Sequence, residues 1–250
     1  MPKNNEYLVS IVTVCFNDIS GLKETHDSII SNKNFLDEAQ WVVIDGGSSD
    51  GSKEYLAGNP RVDVFVSEPD SGIYNAMNKG ISYCAGKYII FMNAGDRFTD
   101  SCDISDFLKN SESDVILCDA LIKFPRGKRY RRAKSSSYIR YSMPTIHQSV
   151  VFSAQILERF HYDEKFKICG DYALISSIYK GNGSFEHYPD CLSIFSIGGT
   201  STLNVWQLGK EAMSIQRDIL ELPLPYVLFS WIKRSVSLNL TLLLYTLTYK

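Results

Sequence analysis

A mixed, mainly parallel α/β sheet flanked by helices is the fold this chain predicts, on two observations. Strand-length apolar runs recur through the first half, LVSIVTV (8 to 14), WVVI (41 to 44), VDVFV (62 to 66) and KYIIFM (87 to 92), each closing on a polar turn. Helix-compatible stretches lie between them, and that βαβα rhythm is what a parallel sheet covered by helices requires. At 250 residues the chain can bury a core without staples.

The elements follow in order. Helices are predicted over 19 to 31, 52 to 58 and 72 to 83, the last with Ile73, Ala76, Met77 and Ile81 on one face. After Asp119 the rhythm changes: ALIKF, PRGK and RYRR predict a β-hairpin on a Pro-Gly turn. Strands near 149 to 152 and 191 to 197 and helices over 171 to 180 and 203 to 220 complete the domain, taken as residues 1 to 221 in two halves, 1 to 100 and 101 to 221. From Leu222 the tail carries no carboxylate, and 17 of its 29 residues are apolar or aromatic. Its longest uncharged run, Ser235 to Tyr249, is 15 residues, short of a membrane span. An interfacial segment with Trp231 and Tyr245 near the headgroups is the first reading, and packing on the domain or within a homo-oligomer is the alternative.

Charge and cysteine usage narrow the class. The formal net charge is −2, yet between Asp119 and Glu158 there are eight Lys/Arg and no carboxylate. The six cysteines are scattered without a CxxC pair, which reads as reduced thiols in a cytoplasmic protein and not as a disulfide framework or zinc site. The N-terminal apolar run is too short for a signal peptide, so export is not expected.

The strand ends carry the chemistry. CFNDISG follows the first strand, so neither a GxGxxG fingerprint nor a P-loop stands there. Polar and acidic residues stand instead: Thr13 and Asn17, then Asp45 in VVIDGGSSDG, Glu68 and Asp70, and Asn93 and Asp96 in NAGD. Ligands of open α/β sheets bind at this edge. Asp45 is placed to accept hydrogen bonds from a base or ribose, with Gly46 and Gly47 allowing a tight turn; a plain strand-to-helix turn is the alternative. Asp96 is a hard oxygen that suits Mg²⁺ or Mn²⁺ against a diphosphate, or else an Asp-capped turn.

SIVTVCFN, VVIDGGSSDG, SEPDSGIYNAMNKGI, NAGD, IHQSVVF and CGDYALI, in that order, resemble the family 2 glycosyltransferases of GT-A fold, close to small bacterial WcaE-like and O-antigen polysaccharide glycosyltransferases. The resemblance implies a nucleotide-sugar donor, a divalent metal and an inverting displacement at the anomeric carbon. By position it implies a nucleoside pocket from Thr13, Asn17 and Asp45, and a segment over ribose and diphosphate from Asp70, Asn75, Asn78 and Lys79. Asn93, Ala94, Gly95 and Asp96 match the family's DxD metal motif with asparagine for the first acid, leaving Asp96 as the metal ligand. Asp171 matches the general base, with Gly170 where many relatives carry Glu. A base at a helix start needs burial to stay basic, since the dipole lowers its pKa. His147 and Gln148 match an HQ pair beside the acceptor.

Seven of the twelve residues from Lys123 to Lys134 are basic; a solvated hairpin is one reading, and contact of Arg129 and Arg131 with a lipid diphosphate is the other. The acidic remainder of the chain disfavours nucleic acid. The reading is a hexosyltransferase acting on a lipid-diphosphate-linked saccharide for surface polysaccharide, peripheral at the inner face of the cytoplasmic membrane. A sugar nucleotidyltransferase and a non-catalytic nucleotide-sugar-binding scaffold are the alternatives. UDP-glucose, UDP-galactose and GDP-fucose stay open as donors.

Overall fold

The computed structural model describes residues 7–32, 39–100, 102–124, 127–196 and 204–233. Nine strands, β1 (Tyr7–Cys15), β2 (Ala39–Asp45), β3 (Val64–Ser67), β4 (Gly86–Phe91), β5 (Arg97–Phe98), β6 (Val115–Phe124), β7 (Gly127–Arg131), β8 (Val150–Ser153) and β9 (Phe185–Ser196), form one sheet. Its order is β3-β2-β1-β4-β8-β6-β9-β5, with β7 hairpinned onto β6. The helices are α1 (Ile19–Ser31), α2 (Ser52–Ala57), α3 (Ile73–Tyr83), α4 (Ser105–Asn110), α5 (Ala154–Arg159), α6 (Gly170–Lys180) and α7 (Val205–Ser214).

Strand alternation explains the layering. Successive side chains point to opposite faces, so Val12, Val14, Val42 and Ile44 enter one apolar cluster while Val9, Ile11, Trp41 and Val43 enter the other. Both faces are covered, as a parallel strand rich in Val and Ile requires.

Topology decides what meets at the site. The first four strands are parallel, so their carboxyl ends share one edge. The antiparallel β8 pairs with β4, which brings the residues just before β8, His147 and Gln148, to that same edge. The sheet also joins residues from both sides of position 100. β6 runs on past its pairing with β8 and carries the predicted hairpin beyond the edge; the hairpin turn, residues 125 and 126, lies outside the described residues.

Several elements were not expected. Ser153 Oγ accepts from the Ile156 amide and starts α5, and β5 is only two residues long, below any periodic signal. The helix expected over 203 to 220 is α-helical to Ser214 and then widens to a π-helical turn, Ile215–Ile219, with the Leu220 amide donating to the Ile215 carbonyl at 3.0 Å. Buried Gln216 there donates to the carbonyls of Arg140 and Tyr141 and to Ser230 Oγ. A further helical stretch covers 224–233, and the rest of the predicted tail, with Tyr245, lies outside the described residues. Trp231, expected near headgroups, is half-buried and lays its indole against Gly209, where a Cβ would come within 3.2 Å of Nε1.

Candidate functional site

The turn after β2 is built around Asp45, which is fully buried. Its Oδ2 accepts from the amides of Gly47 (3.2 Å) and Ser48 (3.0 Å) and from Ser67 Oγ (2.7 Å). Gly47 takes φ +85°, a left-handed value that favours glycine. Asp45 Oδ1 is buried with no partner among the described residues. Asn17, itself left-handed at φ 50°, donates its amide to Ser48 Oγ at 2.8 Å and accepts from the Ser49 amide at 2.9 Å, tying the β1 and β2 turns together.

Thr13 corrects an expectation. It is fully buried, its hydroxyl donates to the Met92 carbonyl at 2.8 Å, and it accepts from the Trp41 indole at 2.9 Å. Its hydroxyl is thus spent inside the sheet, on the face that Asp45 shares but one residue pair below the strand end.

The β4 end supplies a second orphaned oxygen. Asn93 Oδ1 is buried and has no partner among the described residues, while the Asn93 backbone carbonyl accepts from Thr25 Oγ1 at 3.0 Å and from the Asp96 amide at 3.0 Å. Ala94 continues the β1 ladder onto the Val14 carbonyl, and Gly95 accepts the left-handed φ of +89° that closes the turn. Burial pushes Asp96 up to about 7, against a hydrogen bond from Gln148 Nε2 at 2.7 Å that favours the carboxylate. A buried amide oxygen without a donor beside a poorly solvated carboxylate fits a hard divalent cation, with further ligands coming from a bound diphosphate. Among the described residues no cluster of three His, Cys, Asp or Glu could hold a metal by itself.

His147 lies in an aromatic box. It stacks on Phe91 with centroids 5.3 Å apart, and its Nε2 meets Tyr162 Oη at 3.1 Å. Burial lowers it to about 4, so it is neutral at physiological pH, and its Nδ1 has no partner among the described residues. Its ring is thus packed within the core at the edge that also carries Asp96.

Asp171 stands in the first turn of α6, but the cap position is Cys169. Its Oδ1 accepts from the Tyr172 amide at 2.9 Å, and burial raises it to about 6 despite that bond. The dipole's pull is outweighed by desolvation, as a base at a helix start needs. Its charge acts on Tyr74 and Tyr162, which brings it to the box that holds His147. Gly170 has no room for an acid: a Cβ would meet the Tyr74 ring at 2.6 Å.

The segment after β3 is occupied by its own contacts. Asp70 Oδ1 accepts from the Gly72 amide, and Lys79 pairs with Glu68 at 2.7 Å and donates to the Pro69 carbonyl. Asn78 clamps the backbone of Tyr162, donating to its carbonyl at 2.9 Å and accepting from its amide at 3.0 Å. Asn75 donates to Glu164 at 3.1 Å. On β7, Arg129 is exposed and Arg131 half-buried; neither hydrogen-bonds another candidate residue among the described residues.

Three site-adjacent residues escaped the sequence. Glu164 collects Ser71, Asn75 and Asn78, bonds led by Asn75 that hold its pKa down. Arg97 directly follows Asp96, and its Nε is buried without a partner among the described residues. Glu211 is a carboxylate on the buried face of α7 between Leu208, Ala212 and Ile215, and that interruption of an apolar stripe was the available signal.

A mixed, mainly parallel sheet with acids at the carboxyl ends of its parallel strands is the architecture of a GT-A type glycosyltransferase. Residues 10–179 match the family described as Glycosyl transferase family 2, and the chain belongs to that family. An uncharacterized glycosyltransferase of Mycobacterium tuberculosis is 40% identical over 92 residues, 36% of this chain; the match spans 35% of the relative's length. The minor teichoic acid biosynthesis protein GgaB of Bacillus subtilis is 21% identical over 70% of this chain and 21% of its own length. Among solved structures, S. aureus TarS 1-349 in complex with UDP-GlcNAc superposes with TM-score 0.68 at 14% identity over 92% of this chain and 72% of that one. The mannosyltransferase PcManGT of Pyrobaculum calidifontis, in complex with GDP-Man and Mn²⁺, gives 0.65 at 13% over 92% and 74%. At such identities the likeness establishes the fold.

Proposed function

We propose that this chain is an inverting, metal-dependent hexosyltransferase that moves a sugar from a nucleoside-diphosphate donor to a lipid-diphosphate-linked saccharide in bacterial surface-polysaccharide assembly. The observation that carries it is the pair of buried, unpartnered oxygens, Asp45 Oδ1 and Asn93 Oδ1, at two parallel strand ends with Asp96 beside the second. An orphaned buried acceptor costs about 1–3 kcal/mol, so both oxygens favour a ligand that supplies what they lack. Asp45 is placed to accept from a base N–H, with Asn17 bracing its turn.

Asn93 and Asp96 would hold Mg²⁺ or Mn²⁺, which would neutralise the departing diphosphate. Asp171, raised to about 6, takes the acceptor hydroxyl proton as that oxygen bonds to the anomeric carbon. The bond from that carbon to the donor phosphate oxygen breaks on the opposite face, and the nucleoside diphosphate leaves with the electron pair. That UDP-GlcNAc and GDP-Man occupy the two structural relatives supports a nucleotide-sugar donor. The teichoic acid relative supports a cell-surface acceptor.

Peripheral attachment at the inner face of the cytoplasmic membrane belongs to the same reading. The stretch 224–233 exposes Leu224, Tyr226, Leu228, Phe229 and Ile232 while burying Val227. Among the described residues no helix is long and apolar enough to cross a membrane.

The test is a thermal-shift panel of UDP-glucose, UDP-galactose, UDP-GlcNAc, GDP-mannose and GDP-fucose with and without Mn²⁺, followed by donor hydrolysis. Cation-dependent stabilisation by at least one donor, with slow hydrolysis that Asp96→Ala abolishes, is the expected result. Stabilisation without any turnover would favour a scaffold.

A further inference from the structure

The segment entering the Asp171 helix is held by a carboxylate from another helix. Glu211, on α7 and 7% exposed, accepts from three successive backbone amides: Lys167 at 3.0 Å through Oε1, and Ile168 at 2.9 Å and Cys169 at 2.8 Å through Oε2. Gln207 Nε2 supplies a fourth donor to Oε1 at 2.8 Å. From the other side Tyr74 Oη donates to the Ile168 carbonyl at 2.7 Å, and its ring fills the space above Gly170. Amides and carbonyl of one short segment are therefore fixed by two different helices immediately before the base.

A strut alone does not need a charge. A buried carboxylate is costly unless satisfied. Here burial pushes Glu211 up, but the bonds from Gln207, Lys167, Cys169 and Ile168 outweigh it and hold the pKa below the ordinary value. The side chain is thus an anion at working pH. The groups that act on or respond to Asp171 are Glu211 from α7, Tyr74 from α3, Tyr162 from the loop before α6, and the amide of Tyr172. Glu211 is the one charged group among them.

We infer that Glu211 is a positioning residue for the transfer reaction, which fixes the approach of Asp171 to the acceptor by holding the three amides before its helix and sets an anion behind them. The inference rests on Asp171 being the base. The sign follows from electrostatics: a neighbouring anion disfavours the Asp171 carboxylate, adding to the larger effect of burial. Removing the charge moves Asp171 back toward ordinary carboxylate acidity, which extends activity to lower pH and weakens the base at the plateau.

The experiment measures kcat against pH for donor hydrolysis, using whichever nucleotide sugar of the panel is turned over fastest, at saturating donor and Mn²⁺. For Glu211→Gln the plateau kcat is expected to fall about 10- to 100-fold, since misplaced catalytic groups lose rate steeply. Its acid limb shifts to lower pH, and the donor KM stays close to wild type. Glu211→Asp keeps the charge but not the reach, so its kcat falls while its acid limb stays in place. Should Glu211→Gln fail to fold, Gln207→Lys leaves the three backbone contacts intact and sets an ammonium against Oε1; its acid limb shifts to lower pH as well. A wild-type profile in folded Glu211→Gln overturns the inference, as does a lower plateau with an unmoved limb, or an unmoved limb in Gln207→Lys. Near wild-type turnover in Asp171→Asn would instead overturn the assignment of the base, whatever Glu211 does.

Discussion

Gln148 Nε2 donates to Asp96 Oδ2 at 2.7 Å, joining residues 52 positions apart that precede β8 and follow β4. Because β8 is antiparallel to β4, the two motifs meet at the one edge where parallel strands end. The contact fixes the carboxylate on the turn that also carries the buried Asn93 Oδ1.

Gln148→Leu should therefore behave as a loss of outer support to a metal ligand. Mn²⁺ affinity in the presence of UDP is expected to fall about 10- to 100-fold, the usual cost of removing such a partner. Titration calorimetry checks it, with Asp96→Ala as the null control. Unchanged Mn²⁺ binding in Gln148→Leu would take Asp96 out of the metal site.

His147 makes stability depend on acid. Its folded pKa, lowered by burial to about 4, lies below the unfolded value near 6.5. The unfolded chain therefore binds the extra proton first, and stability is lost as pH falls from about 6.5 to about 4, by roughly 3 kcal/mol in total. His147→Gln keeps a polar partner for Tyr162 Oη and does not titrate. Urea midpoints at several pH values between 4 and 8 should show a smaller acid-side decline in that variant. A parallel decline would mean that His147 is already protonated in the folded protein.

Local chemistry was legible in the sequence; long-range satisfaction was not. The VVIDGG turn, the NAGD turn and the start of the Asp171 helix each combine a strand or helix period with its own punctuation, so Asp45, Asp96 and Asp171 stand where the chain predicts. Thr13 shares a face with Asp45 but lies one residue pair deeper, where its hydroxyl meets Trp41 and the Met92 carbonyl, partners 28 and 79 residues away. Asn78 was assigned to the donor segment and is spent on the Tyr162 backbone, 84 residues away. Glu164 and Glu211 work entirely through such distant partners, which no spacing rule encodes. The two-residue β5 and the π-helical turn were invisible for the related reason that neither is long enough to carry a period.

Gly170 and Tyr74 should be coupled. A Cβ on residue 170 would meet three ring atoms of Tyr74 at 2.6 to 2.7 Å, so Gly170→Ala is expected to destabilise by about 1–3 kcal/mol through overpacking. Helix propensity alone would favour alanine by about 1 kcal/mol. Tyr74→Leu makes room, and in that background Gly170→Ala should become neutral or stabilising. A double-mutant cycle by denaturant unfolding measures the coupling; additive effects would mean that the ring moves aside freely.

Asp45 uses its two oxygens differently: Oδ2 holds the turn, while Oδ1, which we propose accepts from a base N–H, has no partner among the described residues. In Asp45→Asn the amide oxygen can keep the bonds from Gly47, Ser48 and Ser67, which turns the NH₂ toward the place of Oδ1. An acceptor is thereby replaced by a donor, and a base N–H meets another N–H. Hydrogen bonds to a charged group contribute about 1.5–3 kcal/mol, so UDP affinity should fall roughly 10- to 150-fold while the melting temperature of the free protein changes little. Asp45→Ala, which removes both oxygens, should lose affinity and stability together. Calorimetric titration with UDP and Mn²⁺, beside thermal unfolding of each free variant, distinguishes the two. Wild-type UDP affinity in Asp45→Asn would remove Oδ1 from base recognition and leave Asp45 as a turn-forming residue alone.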